Sequence, residues 1–198
     1  TLTLGGAVTC SYFSVQSGSL AVGSNTLTCT AQMQLANAAG SRTVTNTGGS
    51  IVVTGIGTVL STGTTGTNSY GGTIINCTGT GNRAFVLGNA TGANSCPSIT
   101  LSSSGTITGI TAVRHFVLTS FTGSITFATS FSGYGNLTLG TSGTFTSSTI
   151  TSQWFNSANV AFSSTGATWD LNTTISCTTS AIQVNIDSNF TIGSTRTL

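Results

Sequence analysis

Leu2-Thr3-Leu4-Gly5-Gly6-Ala7-Val8-Thr9-Cys10 is echoed by Leu20-Ala21-Val22-Gly23-Ser24-Asn25-Thr26-Leu27-Thr28-Cys29, and again by Leu137-Thr138-Leu139-Gly140-Thr141-Ser142-Gly143-Thr144-Phe145-Thr146. Each string reads as a strand, a short Gly/Ser turn and a second strand. The first copy opens at Leu2 and the second at Leu20, a separation that fits one turn of a repeat. A unit of about 18–24 residues carrying several short strands is the coil of a parallel β-solenoid. Eight to ten such coils, stacked at about 4.8 Å, would form a rod on the order of 40–50 Å long.

Working outward from these strings, short alternating runs recur along the whole chain: Ile51-Val52-Val53, Thr73-Ile74-Ile75, Phe85-Val86-Leu87, Ile125-Thr126-Phe127, Ile182-Gln183-Val184 and Phe190-Thr191-Ile192. In a solenoid their Val, Ile, Leu, Phe and Cys residues face inward in stacked rows. Thr and Ser face outward, where β-branched Thr suits a strand and no like charges are stacked one strand apart. Gly turns the corners at positive φ. Residues 1–198 are read as one elongated all-β repeat domain. A β-sandwich or jelly roll with strand exchange between subunits is the competing architecture, since it too presents many short strands with regular turns. Ala31 to Ala39 is the one helix-prone stretch, and Pro97 marks a turn.

Charge is nearly absent. Asp, Glu, Lys and Arg make up 3% of 198 residues, with no Lys and no Glu. The charged residues are Arg42, Arg83, Arg114, Arg196, Asp170 and Asp187, and His115 is the single imidazole. Most enzyme mechanisms need a titratable acid, base or activated nucleophile, so the expectation is a protein that is not an enzyme and holds no cofactor. A net charge of +2 on scattered Arg gives no surface for tracking phosphates, which argues against nucleic acid. No apolar run reaches the length of a membrane span. The 37% hydrophobic content suffices for a core, so disorder is not expected. The chain opens without Met or a signal-like segment, as a mature product or an internal fragment would. Low net charge favours association between copies.

Five cysteines are present: Cys10, Cys29, Cys77, Cys96 and Cys177. With no CxxC pair and one His, a zinc site is not expected. The interval from Cys10 to Cys29 equals that from Cys77 to Cys96. One coil of separation would stack each pair within disulfide range, stapling the rod in an oxidising setting. Equally, the thiols could form a buried row of small hydrophobes, with Cys177 left over.

Asp170 and Asp187, about one coil apart, are the one candidate acid/base pair, with Arg114-His115 as further polar chemistry. Their local strings read more simply as turn and surface positions. Trp154, Phe155, Trp169, Tyr12, Tyr70 and Tyr134 could stack sugars, although core packing is the usual fate of such residues. Asn76, Asn89, Asn136, Asn172 and Asn189 open Asn-x-Ser/Thr sequons, candidate glycosylation sites.

The Leu-Thr-Leu-Gly strings quoted above resemble degenerate repeats of phage tail-fibre shafts and bacterial surface adhesins, and the Ser/Thr/Asn-rich composition is similar to that of prokaryotic extracellular filament subunits. That resemblance implies an elongated β-protein outside the cell, on a cell surface or on a virion surface. It implies assembly with copies of itself, by end-to-end stacking or donated strands. Leu2 and Leu4 at one end, and Phe190 and Ile192 at the other, read as strand-competent assembly positions. The Thr-x-Thr strings Thr26-Leu27-Thr28, Thr43-Val44-Thr45, Thr106-Ile107-Thr108 and Thr144-Phe145-Thr146 resemble the ice-binding face of solenoid antifreeze proteins, without a fixed short repeat to align them. The expected function is a structural subunit or segment of a filament, fibre or adhesin. A carbohydrate- or ice-binding solenoid, with surface glycans as partners, is the alternative. A polysaccharide-degrading β-helix enzyme is the third reading.

Overall fold

The computed structural model describes the chain except residues 36–39, 64–65, 89–91, 128–130, 157–158, 178–181, 188–189 and 194–198, and except the side chains of 146–151, 155 and 156. The described residues are all-β, with no helix, and every strand pairing among them is parallel. No described helix is long and apolar enough to cross a membrane. The chain winds as a parallel β-solenoid, and the sandwich alternative falls because sandwiches are built from antiparallel pairs.

Each coil lays down up to three strand segments, which stack into three faces. Ser98–Ser103, Thr106–Thr108 and Ala112–Val113 form one coil; Phe116–Phe121, Ser124–Thr126 and Phe131–Gly133 lie on them in the next. The inward column of the first face runs Val8, Leu27, Ile51, Ile75, Ile99, Phe116, Leu137, Phe162, Ile186. Its members are unevenly spaced along the chain. The step from Ile99 to Phe116 is the shortest and that from Leu137 to Phe162 the longest, so the register holds while the corners absorb the differences in length. Leu27 through Phe162 in this column are buried, whereas Val8 and Ile186 at its two extremes are not. Stacked parallel strands bury their inward side chains against the opposite faces, which is why a low-charge chain can still be well ordered.

On the second face the inward column continues from Arg83 through Ile107, Ile125, Phe145 and Trp169 to Ile192. On the third face, Leu2, Leu20 and Val44 stack near the start of the chain; Val113, Gly133, Trp154 and Ile175 stack farther on. The core changes character along the rod. Aliphatic residues and thiols dominate its first half. An aromatic cluster fills the second, with Phe131 5.6 Å from Trp154, Phe145 5.7 Å from Trp169 and Trp154 4.9 Å from Phe162 between ring centroids.

Two arginines are buried in the early coils. Arg42 Nε donates to Asn68 Oδ1 at 2.8 Å. Arg83 Nη1 donates to the carbonyls of Cys77 (2.8 Å) and Ser102 (3.2 Å), and its Nη2 to that of Ser104 (3.4 Å). These carbonyls lie at strand ends and a corner, and the guanidinium fork spans several of them at once. Corners also need residues without Cβ. Gly105 has φ 120° and lies directly on the Gly81 carbonyl, where any side chain would collide. Of the helix-prone stretch Ala31 to Ala39, the described part belongs to the strand Thr26–Leu35, because Met33 and Leu35 fill inward positions, and 36–39 lie outside the described residues.

Candidate functional site

The second face brings scattered hydroxyls into two parallel rows. On one side of the inward column stand Thr106, Ser124 and Thr144 in register, followed by Thr168 and Thr191. On the other side stand Thr108, paired to Ala84, then Thr126, and then Asp170, which pairs to Thr146. Thr108, Thr126, Thr144, Thr168 and Thr191 are exposed. Rows in adjacent strands are about 4.8 Å apart, and flanking positions within a strand about 6.7 Å apart, so the face carries a grid of hydroxyls and methyls with the Asp170 carboxylate in one row. Sequence reading singles out Thr106-Ile107-Thr108 and Thr144-Phe145-Thr146 but misses Ser124-Ile125-Thr126 and Thr168-Trp169-Asp170. The steps from Ile107 to Ile125, on to Phe145 and on to Trp169 grow longer one after another, so no fixed-period search finds them. Thr26-Leu27-Thr28 and Thr43-Val44-Thr45 lie apart from this grid, on the first and third faces.

The cysteine expectation divides. Cys10 and Cys29 are register partners. Cys77 is not stacked with Cys96: its partners are Val53 and Leu101, and Cys96 sits in the turn before Ser98–Ser103. Equal spacing misleads here because the coil after Cys77 runs past Cys96 and closes only at Leu101. Cys10, Cys29, Val53 and Cys77 form one inner column, and all five cysteines are free thiols. Burial pushes the Cys29 and Cys77 thiols up to about 12, with Cys10 adding to the effect on Cys29 and Arg83 opposing it at Cys77.

Asp170 lies on the second face and Asp187 just after the last inward residue of the first, so the two carboxylates are not stacked on one face. His115 stands on the first face, just before the strand Phe116–Phe121, three coils from the one that carries Asp187; its Nδ1 accepts the Asn136 N–H at 2.9 Å. Trp154, Trp169 and Tyr70 are buried, Tyr134 is half-buried and Tyr12 is 50% exposed. Trp169 Nε1 donates to Thr173 Oγ1 at 3.0 Å. No aromatic platform gathers at the surface from Trp154, Trp169 and Tyr70.

Of the sequons, Asn76 is half-buried in Ile74–Cys77, Asn172 is half-buried in Thr168–Cys177, and Asn136 uses its Oδ1 to accept the Ala161 N–H at 3.0 Å. Asn89 and Asn189 lie outside the described residues. Leu2 is exposed and pairs with Leu20, whereas Leu4 is buried. Phe190 packs at 5.7 Å on Phe162, and Ile192 pairs with Trp169. No group of three or more His, Cys, Asp or Glu able to hold a metal ion occurs among the described residues. No family model, no curated protein and no solved structure matches this chain.

Proposed function

We propose that this chain is a structural segment of an extracellular or virion-surface fibre, filament or adhesin, built to associate with copies of itself. The observation that carries the reading is the outer surface: hydroxyl rows take the place where soluble proteins put charge, around a continuous apolar column. Such a surface offers neither repulsion between copies nor the titratable groups that most catalysis requires. Stacked coils transmit their order along one axis, which suits a rod. Electron microscopy and light scattering of the whole protein test this reading. Rods or end-joined polymers are expected; a compact monomer at every concentration overturns it.

A second reading, a binding face for ice or carbohydrate, is favoured by the hydroxyl grid of Thr106, Ser124, Thr144 and Thr108, Thr126. An array of hydroxyls at strand spacing can order water or meet sugar hydroxyls along its length. Thermal hysteresis and glycan-array binding, each compared between the parent and Thr126→Tyr, test it. Loss of either signal in the variant supports this face; no signal in the parent removes it.

A further inference from the structure

Four neighbouring coils enclose a groove of about 320 Å³ on the outside of the first face. Ser98, His115 and Asn136 lie in one row along it, because the residues that follow them, Ile99, Phe116 and Leu137, are stacked inward partners. Ser98 is 1% exposed, and its hydroxyl has no hydrogen-bond partner among the described residues. A buried hydroxyl left unpaired is costly; this one belongs to a residue that lines the groove but has almost no exposed surface of its own.

The imidazole is fixed in one tautomer. Its Nδ1 accepts from the Asn136 backbone, so the ring proton sits on Nε2. Burial, and then the neighbouring Arg114, hold the ring below the usual histidine range, so at pH 7 it is a neutral donor. Gly135 lies against this ring so closely that a Cβ there would collide with it. With its proton on Nε2, the ring cannot draw a proton from Ser98 through that nitrogen, which leaves the row to bind and not to attack. Ile74, 45% exposed, and Val117 supply apolar surface beside these polar groups. Arg114 does not itself line the groove but stands at its edge, beside the lining residue Gly72, with Nη1 3.5 Å from where a Cβ on that glycine would stand. No acidic residue is among the described residues that line the groove.

We propose that this groove binds one acidic pyranose unit of a polysaccharide, a uronic-acid residue. The sugar's C–H face lies on Ile74 and Val117, one of its hydroxyls meets His115 Nε2–H, and its carboxylate reaches Arg114 at the groove's edge. The site is independent of whether the chain polymerises and lies on a different face from the hydroxyl grid.

Titration calorimetry of the whole protein with tri-galacturonate, and with its neutral counterpart galactotriose, tests the proposal. Tri-galacturonate binding about tenfold tighter than galactotriose is expected, the worth of one charge-assisted hydrogen bond. Arg114→Gln removes that preference while leaving the weaker neutral binding. Thr138→Trp, on an outward position of the same groove, abolishes both; circular dichroism verifies that each variant is folded. Absence of tri-galacturonate binding, equal affinity for the two sugars, or affinities unchanged in both variants overturns the proposal.

Discussion

Cys10 and Cys29 stand in register on neighbouring coils, the first half-buried and the second enclosed in the core. Parallel register partners lie within the Cα range that a disulfide spans. Incubation with oxidised glutathione should join Cys10 to Cys29 and leave Cys77 and Cys96 unlinked to each other. Exchange should be slow at pH 7, because the Cys29 thiol, raised to about 12, supplies little thiolate. Peptide mapping by mass spectrometry reads the linkage. Exposed Cys177 should be the first site alkylated by iodoacetamide.

Alkali should unfold the protein before mild acid does. Cys29 and Cys77 titrate near 12 when folded, against an ordinary 9.0, and burial also raises the Tyr70 phenol. The unfolded chain therefore releases these protons first as pH rises. Their contribution is fully present below about pH 9 and is lost between there and about pH 12. Melting temperature followed from pH 7 to 11 should fall from about pH 9 upward, and less steeply in Cys77→Ala.

Gly133 faces the Trp154 indole across one strand step, and a Cβ on it would overlap the ring. Gly133→Ala should destabilise the fold by about 1–3 kcal/mol through overpacking. A shift in tryptophan emission should accompany the loss. An unchanged melting curve would mean that the two residues are not stacked.

Ile125 and Thr126 are chain neighbours with opposite fates. Ile125→Ala opens the core and should cost about 2–5 kcal/mol. Thr126→Ala, on the exposed grid, should change stability by less than about 0.5 kcal/mol. Urea denaturation of the two variants compares them directly.

The solenoid itself is legible because Leu2 and Leu20 open similar local strings and do become register partners. Alternation identified the inward residues for the same reason: Ile107, Ile125 and Phe145 each lie between two hydroxyl-bearing neighbours. Spacing, by contrast, could not fix the register. Coil length changes at the corners, so the equal interval suggests that Cys77 and Cys96 stack and they do not, while Thr106-Ile107-Thr108 and Thr144-Phe145-Thr146 share one face despite unequal spacing. The first-face groove was hidden from the sequence for a further reason. Ser98, His115 and Asn136 are separated by unequal stretches of chain, and their meeting depends on three inward partners that only the fold brings into one column.

Corners that vary while the stacked column holds make this rod a chassis with mounting points. A peptide spliced into a bend is accommodated by the loop alone, whereas one lost residue inside a strand would invert every side chain beyond it in that segment. The short coil from Ile99 to Phe116 and the long one from Leu137 to Phe162 already coexist on one axis. Lengthened bends could therefore carry grafted peptides without redesigning the solenoid.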